Sequence, residues 1–239
     1  METLREHPLF ADLLAEDFLV LSQVSRDLVI PTHANLFDEG SRGKNIYAIH
    51  TGFVKLVRYQ QDGSQRIVRL LTGGDIAGLE CTAGASYDST AVAIGEVLAC
   101  RIPTEAIQQI GQRSRRLHRQ LLILWHKALK QADDFIAELA SGSARQRVAR
   151  LVLRLSLHDP SAPVLLPARE DIGAMLGITL ETASRAVAAL RREAVLVQTD
   201  NTGRYFTVDH PTLLRIAARE GESAQDTTQA VERSRTPKI

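Results

Sequence analysis

Residues 170–193, EDIGAMLGITLETASRAVAALRRE, constrain the fold more than any other stretch, because their apolar spacing reads as two short helices joined by a glycine turn. Ile172, Leu176, Ile178, Val187 and Leu190 supply the apolar positions of such a pair. Gly173 allows close helix contact, and Gly177 stands where the chain must turn sharply. Ala168 occupies the N-cap of the first helix, where a hydroxyl or carboxamide ordinarily satisfies a free N–H, at some cost in stability.

The polar residues of the second helix must then be explained by what they face. Glu181 and Arg185 are one helical turn apart and share a face, with Ser184 beside both. On an arbitrary helix such a pair is most often a surface salt bridge next to a solvated serine. Near the N-terminal end of the second helix of a helix-turn-helix the balance reverses, since this is where base contacts are made. Arg can bond guanine O6 and N7 together, Glu can accept from the cytosine amino group, and Ser is a small adaptable donor or acceptor. The spacing predicts a set that reads base edges in a major groove.

The following run, AVLVQTDNTGRYFTVD, has two β-prone segments around a turn at residues 200–203, a hairpin signal that predicts a winged helix-turn-helix. Thr179, Thr182, Arg191, Arg192 and Arg204 are candidates for contacts to the phosphate backbone, although exposed arginines are equally ordinary on proteins that bind no nucleic acid.

Composition permits this reading. A chain of 239 residues has room for one or two domains, and its net charge of +1 argues against a polyanion-coating protein while leaving room for a local basic face. No apolar run approaches the ~20 residues of a membrane span, and the N-terminus, with Glu2, Arg5, Glu6 and His7, lacks a signal-peptide core. A cytoplasmic protein with no membrane partner is expected. The only cysteines, Cys81 and Cys100, are too few for a cysteine-ligated iron-sulfur cluster or a four-cysteine zinc site within one chain, and no metal site is expected. No phosphate loop, nucleophile elbow or His-Glu metal motif appears, so the chain does not read as an enzyme.

Residues 1 to about 26 carry Leu9, Phe10, Leu13, Leu14, Phe18, Leu19 and Leu21 at helical spacing. From 28 to about 102, short β-prone runs alternate with glycines, which predicts a compact antiparallel barrel or roll with Asp62-Gly63 as a hairpin turn. Its last strand alternates Leu98, Cys100 and Ile102 on one face, making Cys100 a core thiol. A long helix is expected over residues 104–139. Leu117, Leu121, Leu124, Ala128, Gln131 and Phe135 form a heptad seam on it, suited to a second copy in a parallel homodimer. A second stripe, Leu122, Trp125, Leu129, Ala132, Ile136 and Leu139, lies to one side, for the chain's own β domain. The alternative is one broad face buried in a monomer. Arg113, Arg115, Arg116 and Arg119 are assigned to the solvated side.

Ser141-Gly142-Ser143 interrupts the helix as a hinge, with Ser143 capping the next one. The expected division is a helical and β-roll sensor domain (1–103), a dimerisation helix and hinge (104–142), a DNA-binding domain (143–219) and a polar, disordered tail (220–239).

These elements, in this order, resemble the Crp/Fnr family of bacterial regulators, named after the cyclic-AMP receptor protein and the anaerobic regulator Fnr. The resemblance covers roughly residues 8–215 and rests on collinear features: the roll with GGDIAGLE, the long helix, the hinge and DIGAMLGITLETASRAV. It implies an α+β fold with an N-terminal cyclic-nucleotide-binding-type β jelly roll, a long dimerisation helix and a C-terminal winged helix-turn-helix. It further implies a sequence-specific transcription regulator whose partners are double-stranded DNA, a second copy of itself and RNA polymerase, the last through a loop at residues 82–88. The competing reading is a ligand-binding regulatory subunit whose helix-turn-helix contacts a protein partner.

By the same resemblance, the effector pocket falls on Gly78, Leu79, Glu80, Ser89 and Thr90. Members that bind cyclic AMP carry Gly-Glu-Leu and Arg-Ser-Ala there. This chain reads Gly78-Leu79-Glu80 and Ser89-Thr90-Ala91. An acid moved by one place in a strand points to the other face, and Ser89 lacks a guanidinium's charge and bidentate geometry, so cyclic AMP is not expected as a ligand. The segment ETASR matches the Glu-x-x-Ser-Arg pattern of the Fnr-like and FixK-like branches, which read inverted repeats related to TTGAT and ATCAA; Leu180 points the same way. Fnr's N-terminal cysteine cluster is absent, which excludes its iron-sulfur route to oxygen sensing. A haem-based gas sensor, a small-molecule sensor and control by abundance remain. His33, His50, His118 and His126 are the conceivable haem ligands, each more commonly an ordinary histidine, and nothing else in the sequence supports haem. Cys81 is either a redox thiol or, more commonly, a packing thiol.

Overall fold

β-branched and aliphatic runs set off by glycine turns form eight short strands in the N-terminal half of the chain. In the computed structural model, which describes residues 4–5, 7–139, 141–157 and 162–218, they follow a helical entry segment that includes α1 (Ala15–Val24). The strands are β1 (Arg26–Ile30), β2 (Asn35–Phe37), β3 (Asn45–Thr51), β4 (Val54–Tyr59), β5 (Gln65–Leu71), β6 (Ile76–Ala77), β7 (Thr90–Ala93) and β8 (Val97–Pro103). They pair antiparallel in two four-stranded sheets, β1-β8-β3-β6 and β2-β7-β4-β5. Asp62-Gly63 turns between β4 and β5, with Gly63 at φ +80°. The tail expected over residues 220–239 lies outside the described residues.

The sheets enclose one core of Phe37, Tyr47, Ile49, Leu56, Leu71, Val97 and Ala99, among others. The outer face of the β8 sheet makes a second core, in which Ile46, Cys100 and Ile102 meet Leu9, Phe10, Leu21, Ile107, Ile110, Leu117 and Leu124 from the helices. Strand β8 therefore buries both faces. Cys100 is a core thiol as expected, but Leu98, at the strand's end, is 40% exposed, because the helical cover stops short of it.

The helix expected over 104–139 is two helices, α2 (Thr104–Gly111) and α3 (Arg115–Leu139). At the break, Arg113 N–H and Ser114 N–H both bond the Ile110 carbonyl, and Ser114 Oγ accepts from Leu117 N–H at 3.4 Å. The Arg113 guanidinium turns inward to Asp17 Oδ1, with Nη2 at 2.9 Å and Nε at 3.2 Å. Arg116 bonds the Asp12 carbonyl at 3.4 Å. Neither arginine belongs to a purely solvated side.

Over most of its length α3 buries the stripe that the sequence analysis assigned to a second copy and exposes the other. Leu117 and Leu124 are buried, with Leu121 and Ala128 packed beside them, against the protomer's own core. Phe135 is buried as well, with the Arg154 guanidinium 6.0 Å from its ring centre, and Gln131 is half-buried. This row is thus consumed within one protomer. The open face is most of the other row, with Leu122 70%, Trp125 40%, Leu129 63% and Ile136 66% exposed, whereas Ala132 is half-buried and the row's last member, Leu139, is buried. Both rows repeat at heptad spacing, so spacing alone cannot say which one meets the roll.

Residues 1–133 and 134–239 form two compact units. In the second, Gly142 adopts φ +85° and Ser143 opens α4 (Ala144–Leu155) with a capping box shared with Gln146. There follow β9 (Val164–Leu165), α5 (Arg169–Leu176), α6 (Leu180–Arg192), β10 (Leu196–Gln198), β11 (Tyr205–Val208) and α7 (His210–Ala217). The strands form an antiparallel sheet ordered β10-β11-β9. Val148, Leu151, Val152, Ile172, Val187, Leu190, Phe206 and Leu213 bury fully between sheet and helices. Arg147 and Arg150 of α4 donate to the Leu176 and Ala217 carbonyls, both at 2.8 Å, supplying cations at the C-terminal ends of α5 and α7.

Candidate nucleic-acid interface

The turn between α5 and α6 leaves no room for alternatives. Gly177 takes φ +63°, and a Cβ on Gly173 would stand 2.7 Å from the Ile178 carbonyl oxygen, so the turn backbone is folded directly onto α5. Ala168 caps α5 without a side-chain bond, as the sequence anticipates. At the start of α6, Thr179 Oγ1 accepts from Thr182 N–H at 3.2 Å and lies 2.9 Å from Thr182 Oγ1. Both threonines thus begin the helix with hydroxyls already engaged in capping it, which leaves exposed Thr179 with spare bonding capacity only toward solvent or a ligand.

Helix α6 buries Ala183, Ala186, Val187 and Leu190, which turns Glu181 and Arg185 fully outward with half-buried Ser184 at their flank. Among the described residues none of these three side chains makes a hydrogen bond or ion pair, and Glu181 and Arg185 do not pair with each other. The salt-bridge explanation of this pair therefore fails. Their polar groups face solvent.

The wing is built on one carboxylate. Asp200 accepts from the backbone N–H groups of Thr202 at 3.0 Å, Arg204 at 3.2 Å and Tyr205 at 3.0 Å, and from the Thr202 hydroxyl. These bonds, the Thr202 hydroxyl foremost, hold its pKa below the usual carboxylate value. Gly203 completes the turn at φ +71°. Arg191 Nη2 bonds Gln198 Oε1 at 3.2 Å with its guanidinium 5.8 Å from the Phe206 ring centre, so it ties α6 to the wing. Arg192 is exposed at the helix end, and half-buried Arg204 sits at the base of the wing with its carbonyl accepting from Leu166 N–H at 2.8 Å. Arg169 escaped the sequence reading. It lies at the first turn of α5, where burial, and next the charge of Arg191, lowers its pKa. Two cations thus converge beside an uncapped helix start, a proximity that residues so far apart in sequence cannot reveal.

The positions that the resemblance assigns to an effector pocket are mostly bonded or buried within the roll. Gly78 has φ +78°, and Leu79–Ala83 form a 3-10 turn, so Glu80 does not lie in a strand and the strand-alternation argument for its direction does not apply. Glu80 Oε1 instead accepts from Asp88 N–H at 3.3 Å. Ser89 and Thr90 are buried, and Thr90 Oγ1 accepts from Glu39 N–H at 3.1 Å. Tyr87 stacks on Phe37 with ring centres 3.8 Å apart, and its hydroxyl donates to the Asn45 carbonyl at 2.7 Å. A Cβ on Gly78 would meet the Tyr87 ring at 2.8 Å. Cys81 is buried, and its thiol is pushed up to about 12 by burial first and by the charges of Glu80 and Asp88 next, which favours the packing reading over the redox one. His33, His118 and His126 are exposed and His50 is half-buried, each on a different part of the roll or α3. No helix among the described residues is long and apolar enough to cross a membrane.

Residues 28–114 match the cyclic nucleotide-binding domain, and residues 146–216 match the Crp-like helix-turn-helix domain. The chain belongs to the Crp/Fnr family. The fumarate and nitrate reduction regulatory protein of Vibrio cholerae is 27% identical over 207 residues, which cover 84% of this chain and 82% of that protein. FixK2 from Bradyrhizobium japonicum superposes with a TM-score of 0.73 at 25% identity, covering 83% of this chain and all of the FixK2 chain. A CRP-family transcriptional regulator from Thermus thermophilus, at 23% identity, shares the fold with a TM-score of 0.69 over 82% of this chain and 98% of its own. The Crp/Fnr relatives are transcription regulators, not enzymes, and the likeness to Fnr and FixK2 supports the Fnr/FixK branch to which the recognition helix points. This Crp/Fnr protein is accordingly a DNA-binding transcription regulator with a cyclic-nucleotide-binding-like domain.

Proposed function

We propose that this Crp/Fnr regulator binds, as a homodimer, an inverted repeat of TTGAT-like half-sites and does so without cyclic AMP. The observation that carries the reading is the outward face of α6, where Glu181, Ser184 and Arg185 have no partner within the described fold. Arg185 reads guanine through O6 and N7, Glu181 accepts from the opposing cytosine or a neighbouring base and orients Arg185, and Ser184 contacts a flanking thymine. Exposed Arg192 and Thr179, with Thr182, Arg169, Arg191 and Arg204 around them, supply phosphate contacts that set the register.

The dimer forms through the row left open on α3, Leu122, Trp125, Leu129 and Ile136, with Ala132 between them at heptad spacing. It replaces the row through Leu117 and Leu124, which is already buried. Two-fold symmetry then sets the half-sites about one duplex turn, ~34 Å, apart. The absence of an arginine at Ser89 and the Phe37–Tyr87 stack beside Gly78 argue against a cyclic nucleotide in the roll. Residues 83–86 and Asp88, exposed around buried Tyr87, form the surface for RNA polymerase, and DNA as target implies action in the cytoplasm.

Binding of Arg185→Ala to cognate and scrambled palindromes tests the assignment. One lost bidentate contact costs ~1 to 3 kcal/mol on the cognate site alone. Equal discrimination by wild type and variant rejects it. Wild-type affinity that is indifferent to salt points instead to a protein partner for the helix-turn-helix.

A further inference from the structure

The two apolar rows on α3 are close to interchangeable by composition and spacing, yet only one packs on the roll. At about 100° per residue, Arg116, Gln120, Lys127 and Gln131 lie together on one flank of the inward row, on the side away from Leu122, Trp125 and Leu129. Two aspartates hold this flank. Asp12 takes Gln120 Nε2 at 2.6 Å on its carboxylate and Arg116 on its carbonyl. Asp75, only 6% exposed, takes Lys127 Nζ at 2.8 Å and Gln131 Nε2 at 3.2 Å, both on Oδ1.

Asp75 can act as a fixed point because its own turn is braced. Its Oδ2 accepts from Thr72 N–H at 2.9 Å, its carbonyl accepts from Ile49 N–H at 3.0 Å, and Gly74 N–H bonds the Ile49 carbonyl at 2.8 Å. A Cβ on Gly73 would stand 2.5 Å from the His50 carbonyl oxygen, so the turn is pressed onto β3. The Gly74 carbonyl adds a second acceptor for Lys127 Nζ at 3.4 Å.

From this geometry we infer that Asp75 is a positioning residue for dimerisation: through Lys127 and Gln131 it sets the rotation of α3 about its axis, and so decides that the Leu122–Trp125–Leu129 row faces a second copy. An ionic contact anchored on a buried carboxylate, with the lysine reaching it from the exposed flank, can select one arrangement over a near-degenerate alternative, whatever it adds to stability. The inference rests on the dimer reading above and adds to it the element that makes the seam available.

Two variants test it without destroying the turn. Asp75→Asn keeps an oxygen for Thr72 N–H, and Lys127→Met leaves the turn untouched. Sedimentation equilibrium reads the dimer constant, and acrylamide quenching of Trp125, the chain's single tryptophan, reads at dilution whether the open row still faces water. Each variant is expected to weaken the dimer about five- to tenfold, the double variant no more than either single one, and Trp125 to become less accessible in the monomer. Lys127→Arg should retain most of the wild-type dimer. Unchanged Trp125 quenching in both single variants overturns the inference, even if melting temperatures fall. A wild type that stays monomeric at every concentration rejects the dimer reading instead, and Trp125 accessibility still decides the role of Asp75.

Discussion

Arg191 and Gln198 join the recognition helix to the wing, Nη2 to Oε1 at 3.2 Å, while the same guanidinium lies over the Phe206 ring. A residue assigned from sequence to phosphate contact is therefore also a structural brace. Arg191→Ala should lower unfolding stability by about 1 to 1.5 kcal/mol, from one lost hydrogen bond and one exposed cation–π contact. It should also weaken DNA binding evenly across sequences, in contrast to the sequence-selective loss at Arg185. Denaturant unfolding, together with titrations on cognate and scrambled DNA, separates the two roles.

Ala194 follows the recognition helix at φ +56°, a left-handed conformation that a side chain resists. It is exposed, so no packing is lost when the side chain is removed. Ala194→Gly should stabilise the protein by up to about 1 kcal/mol, raising the melting temperature. Gly173→Ala should do the reverse by about 1 to 3 kcal/mol, because its Cβ meets backbone that cannot yield without moving α6.

His7 is buried, and desolvation lowers its pKa from 6.5 to about 4, aided by the charges of His50 and Lys127 and opposed by Asp75. Its Nδ1 accepts from Leu9 N–H at 3.2 Å, a bond that requires the unprotonated nitrogen. Between these two pKa values the unfolded chain binds a proton that the folded chain refuses. Stability is thus complete above pH 6.5 and falls as pH drops toward 4, by on the order of 3 kcal/mol in full. His7→Asn should flatten the unfolding free energy over this range; a slope equal to the wild type's would show that another group carries the dependence.

Cys81 and Cys100 are both buried with thiols pushed up to about 12, chiefly by burial. The native protein should react with a thiol-specific disulfide reagent at about pH 8 far more slowly than the denatured chain. Rapid labelling of Cys81 without unfolding would restore the redox reading.

Much of the C-terminal half was legible in one dimension, because its devices are local. Gly177, the capping box at Ser143, the Asp200–Gly203 turn and the outward trio on α6 each depend on residues within a few places of one another. The roll was legible as a class through its glycine turns, but its filling was not: Phe37 stacks on Tyr87 and Tyr87 bonds Asn45 across the chain. The break between α2 and α3 was missed because the apolar period continues through it, while the turn is settled by Arg113 reaching Asp17.

The sequence by itself determined the order of the elements, the helix-turn-helix, the outward polar face of its second helix and the existence of two heptad rows on the long helix. Periodicity carries all of these, since it follows from backbone geometry alone. Only the tertiary structure decided which row is spent inside the protomer and which remains open, and it reversed the expectation. The deciding contacts, Asp12 with Gln120 and Asp75 with Lys127, join residues far apart in the chain, and no spacing rule reports a pairing that exists only once the roll has folded.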